Sequence, residues 1–186
     1  ARLKFMKSDR SEQAQCVAVA QRCALAHPEV SFRCLRDGKE EFFTPGDGKL
    51  VSACYAVLGA EAVRGMLPCS GGGDEIEVEG FVSSPAAGRG NRAQQFFFVN
   101  GRPIRSLTLQ AALENAYKNT LLTGRFPACV LHINLSYAGV DVNVHPTKAE
   151  VKFSDEKKVY DAVYYSVLSA LGSEEPAREA EIKSAP

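Results

Sequence analysis

The stretch Gln94 to Val99, reading QQFFFV, constrains the fold more than any other. In an extended chain the unbroken run Phe96-Phe97-Phe98 sends rings to both faces, so neither face can be left to water. The run therefore predicts a strand covered on both sides. Stacking of nucleic-acid bases is another use of such rings, but an aromatic core strand is the better reading. Turn signals bound the strand. Asn100-Gly101 reverses the chain, and Pro103 opens the next short extended piece. Ser106 then caps a helix whose buried stripe is Leu109, Ala112, Leu113, Ala116 and Tyr117. Gly124 and Pro127 end that helix and its turn, and Cys129 to Tyr137 reads as a further strand, closed by Ala138-Gly139.

Upstream, Asp9 with Glu12 gives a capping-box-like helix start, followed by an apolar face of Cys16, Val19, Ala20, Cys23, Ala24 and Ala26. Pro28 stops the helix. Val30 to Leu35 alternates as a strand, and Asp37-Gly38 is a type I′ hairpin signal before a second strand through Phe42 and Phe43. Asp47 is a candidate cap for a helix from Leu50 to Leu58, and Gly59 fits its end. A shorter helix is predicted over Glu61 to Leu67. Ser70 to Asp74, with three consecutive glycines, reads as a flexible joint before a strand from Glu75 to Val82. Ser83 to Arg92 (SSPAAGRGNR) lacks the GxxxxGK[ST] order of a phosphate-cradling loop and reads as a mobile connection. At the far end, a helix from Asp155 carries Val159, Ala162, Val163, Val167 and Leu171 inward, and Gly172 closes it. This order predicts an α/β (α+β) domain, a mixed sheet with helices mainly on one face.

Composition excludes some classes. The chain has 186 residues, 45% of them apolar, with no apolar run of membrane-span length. The start, ARLKFMKSDR, has no apolar h-region and no initiator methionine, so a segment of a longer protein is expected. The six cysteines lack CxxC pairing and read as reduced core thiols, neither a disulfide framework nor a metal site. Net charge is zero, yet between Glu79 and Asp141 the only acid is Glu114, against Arg89, Arg92, Arg102, Arg105, Lys118 and Arg125. A solvated face is the bland reading; with arginine supplying five of six cations, phosphate contact gains weight.

Val140 to Phe153 reads VDVNVHPTKAEVKF. Its valines alternate with Asp141, Asn143 and His145, Pro146 ends the pairing, and Glu150 to Phe153 restarts it. Lys148 is thereby mounted on a short loop between strands, and spacing alone makes it an ordinary solvated turn lysine. His145 has no partner that would make it a general base, and Asp141 and Asn143 are read as structural.

This stretch resembles the DVNVHPxKxEVxF signature of the MutL family of DNA mismatch repair proteins. Phe98-Val99-Asn100-Gly101-Arg102 is similar to the family's FVNGR block, and Ala1 to Phe5 (ARLKF) to the tail of its NxPARxKF motif. The resemblance implies the ribosomal protein S5 domain 2-like fold, with a left-handed β-α-β crossover. It implies that residues 1–7 end a preceding ATPase domain and that 8–172 form a transducer domain; residues 173–186, short, charged and apolar-poor, are expected to be a flexible linker stub. It further implies that Lys148 reaches the γ-phosphate of ATP, held with Mg by the N-terminal ATPase domain, and that Arg102 contacts duplex DNA. Arg89, Arg92 and Arg105 are placed on the same DNA surface. The implied partners are duplex DNA, the ATPase domain of the same chain, other mismatch repair proteins and, in an ATP-dependent homodimer, a second copy. The fragment alone is expected to bind no cofactor and to catalyse nothing. The implied location is cytoplasmic and nucleoid-associated in a bacterium, or nuclear in a eukaryote. The alternatives are the transducer domain of a type II topoisomerase or Hsp90-like ATPase and, more weakly, an RNA-binding S5-like module.

Overall fold

The structure is a computed structural model that describes residues 8–136, 139–141 and 151–173. The expectations for Ala1 to Phe5, for the Ala138 turn, for Asn143, His145, Pro146 and Lys148, and for the linker stub lie outside the described residues. The chain divides into two compact units, Ala1–Val63 and Arg64–Pro186.

In the first unit, helix α1 (Asp9–Ala26) is followed by strands β1 (Phe32–Arg36) and β2 (Lys39–Thr44) and helix α2 (Leu50–Leu58). Helix α3 (Ala60–Arg64) carries the boundary between the units. The cap of α1 is Ser8, whose hydroxyl accepts from the Ser11 N–H at 3.3 Å, while Asp9 and Glu12 occupy the first turn, where the dipole favours them. The apolar stripe expected along α1 is buried only at its end, over Ala24, Leu25 and Ala26; Cys16 and Val19 are exposed. The β1–β2 turn has Asp37 at φ 51° and Gly38 at φ 76°, the paired positive values of a type I′ turn. The start of α2 departs from expectation. Its cap is Lys49, and Asp47 instead accepts from the Lys49 N–H at 3.0 Å and the Ser52 hydroxyl at 2.8 Å.

The second unit is built on a five-stranded sheet of order β3-β4-β7-β5-β6. The strands are β3 (Met66–Gly73), β4 (Ile76–Ser83), β5 (Gln95–Val99), β6 (Arg102–Ile104) and β7 (Cys129–Leu135). Only β5 and β7 pair in parallel, joined through helix α4 (Leu107–Ala116), so the sheet is mixed. Beyond β7 come a two-residue pair, β8 (Val140–Asp141) with β9 (Lys152–Phe153), and helix α5 (Glu156–Gly172). Alternation sorts the sheet residues. Val78, Val82, Phe97, Val99, Cys129, Leu131 and Ile133 share the face on which Leu109, Leu113, Val163 and Val167 of α4 and α5 form one core. Each such fully buried aliphatic side chain contributes roughly 1.5–3 kcal/mol. The other face of β5 is buried as well: Phe96 is 8% and Phe98 0% exposed, and the Phe98 ring stacks on His132 at 4.7 Å. The two-sided burial read from the aromatic run is present.

The glycine run corrects the sequence reading. Ser70 to Gly73 belongs to β3, paired residue for residue with β4 from Met66↔Ser83 to Gly73↔Ile76, and the helix predicted to reach Leu67 ends at Arg64. The glycines suit close approach here rather than flexibility. A Cβ at Gly71 would stand 2.3 Å from Ser166 Oγ of α5, and one at Gly72 (φ 103°) would meet the Ile76 carbonyl at 2.0 Å. Helix α5 crosses β3 where β3 carries no side chains.

Candidate functional site

Arg102 owes its position to the turn before it. Asn100 at φ 49° and Gly101 at φ 76° make a type I′ turn that pairs Val99 with Arg102. The turn is tied to the end of β7 three times. Asn100 donates its backbone N–H to the Ile133 carbonyl at 3.0 Å and its Nδ2 to the Leu135 carbonyl at 2.9 Å, and its Oδ1 accepts from the Leu135 N–H at 3.0 Å. The amide side chain thus mimics one more residue of the parallel ladder. Sequence reading saw in Asn-Gly only a turn; the amide was the signal that it is also an anchor. Ile104, 7% exposed, fixes the other end of β6 in the core. Between these supports Arg102 is exposed at the sheet edge and forms no ion pair with any described residue. Arg105, also exposed, follows directly after β6, on the face opposite to Arg102 by alternation.

Arg89 and Arg92 lie elsewhere, at the start of β5. The Arg92 guanidinium grips Glu114 of α4 with Nε at 2.5 Å and Nη2 at 2.9 Å, and its carbon lies 4.1 Å from the centre of the Phe126 ring. Arg92, joined by Gln95, holds the Glu114 carboxyl below the ordinary glutamate range, and Glu114 raises Arg92 in turn. The single acid of residues 80–140 is thereby paired with Arg92. Arg89 is half-buried, exchanges backbone hydrogen bonds with Phe126 at 2.8 Å in both directions, and keeps a buried Nε without a partner among the described residues. The loop expected to be a mobile connection is thus bridged to the chain beyond α4, after a single 3-10 turn over Pro85–Ala87. Arg102 stands beside Val99 at the end of β5, Arg89 and Arg92 lie before its start, and Arg105 follows Ile104, which pairs with Phe97 in the middle of β5.

Lys148 lies outside the described residues. What frames it is described: Val140 pairs with Phe153 and Asp141 with Lys152, and the Ser154 N–H reaches the Gly139 carbonyl at 2.9 Å. Phe153 is buried, and its N–H bonds Glu156 Oε1 at 3.3 Å in the first turn of α5, so the returning strand is fixed to the core helix. Among the described residues no cluster of three or more His, Cys, Asp or Glu could hold a metal ion. Cys54, Cys69 and Cys129 are core thiols, the first two pushed up by burial to about 12 and about 11, whereas Cys16 stands exposed on α1. No described helix is long and apolar enough to cross a membrane.

Residues 54–172 match the family described as DNA mismatch repair protein, C-terminal domain. The chain belongs to the MutL family of DNA mismatch repair proteins. It is similar to the mismatch repair protein MutL of Symbiobacterium thermophilum, 44% identical over 173 residues that make up 93% of this chain and 27% of that protein. A Streptococcus pneumoniae MutL is 39% identical over 171 residues, 92% of this chain and 26% of its own length. This MutL-family chain therefore spans about a quarter of those relatives. Among solved structures, the N-terminal domain of a DNA repair protein superposes with a TM-score of 0.76 at 26% identity, over 94% of this chain and 57% of that one. The Aquifex aeolicus MutL ATPase domain complexed with ADP gives 0.55 at 24% identity, over 73% of this chain and 47% of that one, a likeness of fold alone. The MutL-family chain thus has the mixed α/β, S5-like fold that its motifs imply.

Proposed function

We propose that this MutL-family chain is the transducer and DNA-contacting part of a mismatch repair ATPase, with residues 8–172 acting as that domain. The observation that carries the DNA reading is Arg102, an exposed guanidinium without an ion pair among the described residues, on a turn that Asn100 pins to the sheet. A charge so mounted suits phosphate contact, which positions a duplex without reading its sequence. By alternation Arg105 faces away from Arg102, so the DNA reading rests on Arg102. In the nucleotide reading, which rests on the HPTK motif, Lys148 meets the γ-phosphate of ATP. An N-terminal ATPase domain of the intact protein holds that ATP with Mg, and an ammonium there offsets the terminal charge and couples nucleotide state to domain closure. The ADP named with the Aquifex aeolicus domain is in keeping with a nucleotide-linked role. The partners in this reading are duplex DNA, that ATPase domain, other repair proteins and a second copy in an ATP-dependent dimer. By itself the segment turns over no ATP, since one lysine is not a nucleotide pocket.

The test is duplex binding by the intact protein, titrated against salt. Arg102→Glu should weaken matched and mismatched duplexes alike and flatten the log–log salt slope by about 1. Normal folding with unchanged affinity and slope would refute the DNA reading. Lys148→Ala should lower ATP turnover and leave duplex binding by the nucleotide-free protein intact; unchanged turnover would refute the nucleotide reading.

A further inference from the structure

The cations at the start of β5 are not accounted for by the hairpin that carries Arg102. Strand β6 runs back along β5, from Arg102 beside Val99 to Ile104 beside Phe97, and Glu114 in the last turn of α4 accepts from Gln95 at the beginning of β5. The chain beyond α4 therefore meets the chain before β5. They are joined by the Arg89–Phe126 bridge and by Arg92, which stacks on Phe126 while gripping Glu114. Arg125 precedes Phe126 in this bridge. Its stem lies over Gly88, where a Cβ would come within 3.1 Å of Arg125 Cβ and 2.8 Å of Leu121 Cδ2. Glycine at 88 is what admits Arg125 to that position. Arg125 and Lys118 are exposed, and neither forms an ion pair with a described residue. The single acid of residues 80–140, Glu114, is already taken by Arg92. Arg89 lies half-buried in the same bridge, its Nε without an acceptor among the described residues.

We propose that Arg125, with Lys118 and Arg89, forms a second phosphate-contacting cluster for duplex nucleic acid, so that β5 lies between two contacts on one duplex. This rests on the DNA reading of the Arg102 hairpin and extends it to the other end of β5. The spacing suits the ligand. The five residues of β5, which separate Arg102 from the bridge, cover roughly 16 Å. This is on the scale of the ~12 Å major groove, so two such clusters can meet the backbones on its two rims. Arg92 is a positioning residue here: its charge is spent on Glu114, and its stacking on Phe126 holds the bridge that presents Arg125. The cluster offers phosphate contact without base readout, since it presents charge on loops rather than an element that enters a groove.

The experiment is again salt-titrated duplex binding by the intact protein, comparing Arg125→Glu, Lys118→Glu, Arg102→Glu and the Arg102→Glu/Arg125→Glu double variant, each checked for folding by thermal melting. The expected result is a several-fold loss of affinity and a slope shallower by about 1 for Arg125→Glu, with the two sites adding in the double variant. If Arg102→Glu weakens binding while Arg125→Glu and Lys118→Glu leave affinity and slope unchanged, the second cluster is overturned and the hairpin reading stands. If Arg125→Glu weakens binding and Arg102→Glu does not, the cluster stands and the hairpin reading falls. If neither has an effect, both fall. Should Arg125→Glu fail to fold, Arg125→Gln with Lys118→Glu decides in the same way.

Discussion

Replacing Gly71 by alanine tests the crossing of α5 over β3. The backbone at Gly71 has an ordinary φ, so alanine meets no conformational penalty there; all of the effect is steric. The new Cβ would stand 2.3 Å from Ser166 Oγ, 3.0 Å from its Cβ and 3.2 Å from its Cα. Rotating the hydroxyl away removes only the first of these and gives up its 2.7 Å hydrogen bond to the Ala162 carbonyl, so the helix itself has to retreat. Overpacking of this kind costs about 1–3 kcal/mol. A value near 2 kcal/mol corresponds to a fall in Tm of roughly 5–10 °C for a unit of this size. A flexible joint would give the opposite sign: there alanine restricts the unfolded chain and stabilises by about 0.4–1 kcal/mol. Urea and thermal unfolding of Gly71→Ala, Ser166→Ala and the double variant decide. Loss in the first, partly recovered in the double variant with a coupling above about 0.5 kcal/mol, supports the crossing. A neutral or stabilising Gly71→Ala, or strict additivity with Ser166→Ala, would refute it.

Two further outcomes follow from buried and paired polar groups. Tyr117, 2% exposed, donates its hydroxyl to the Ser83 carbonyl, and the Ser83 hydroxyl accepts from the Ala128 N–H at 3.0 Å. Tyr117→Phe strands that carbonyl and should cost about 1–3 kcal/mol in urea unfolding; no change in the midpoint would count against the bond. Glu114 has its folded pKa held below the ordinary glutamate value by Arg92. Its contribution is then fully present above the unfolded value and is lost as pH falls through the folded one. The stability gap between wild type and Glu114→Gln should thus be open at pH 7, narrow below about pH 4.5, and shrink in high salt because the pair is partly exposed. A gap independent of pH would show that the pairing contributes nothing.

Local signals carried most of the second unit. The Ser106 cap, the α4 stripe, the Asn100-Gly101 turn and the doubly buried β5 were legible because each depends on chemistry a few residues long. Ser70 to Gly73 was misread because the same glycines suit a joint and a strand crossed closely by a helix, and only the position of Ser166, 95 residues after Gly71, tells them apart. The α1 stripe misled in another way: helical periodicity shows which residues share a face, not what covers it, and Val19 remains 59% exposed. At the candidate site the residue types were readable and the pairing was not. Which arginine takes Glu114 depends on the end of α4 meeting the start of β5, and that topology is absent from any window of sequence.

The strand order holds a consequence for how the sheet comes together. β3 with β4 and β5 with β6 are hairpins whose partners are close in the chain, so each can zip early. Neither pairs with the other. The strand that unites them is β7, the last of the five, which runs antiparallel to β4 and parallel to β5. Until residues 129–135 arrive, two half-sheets each present an open inner edge, rich in Val78, Val82, Phe96 and Phe98. Joining them closes a loop of some fifty residues in one move, the slow step expected of a topology with distant pairings. A ribosome or a chaperone would thus meet this chain as two sticky hairpins waiting for a seventh strand to weld them.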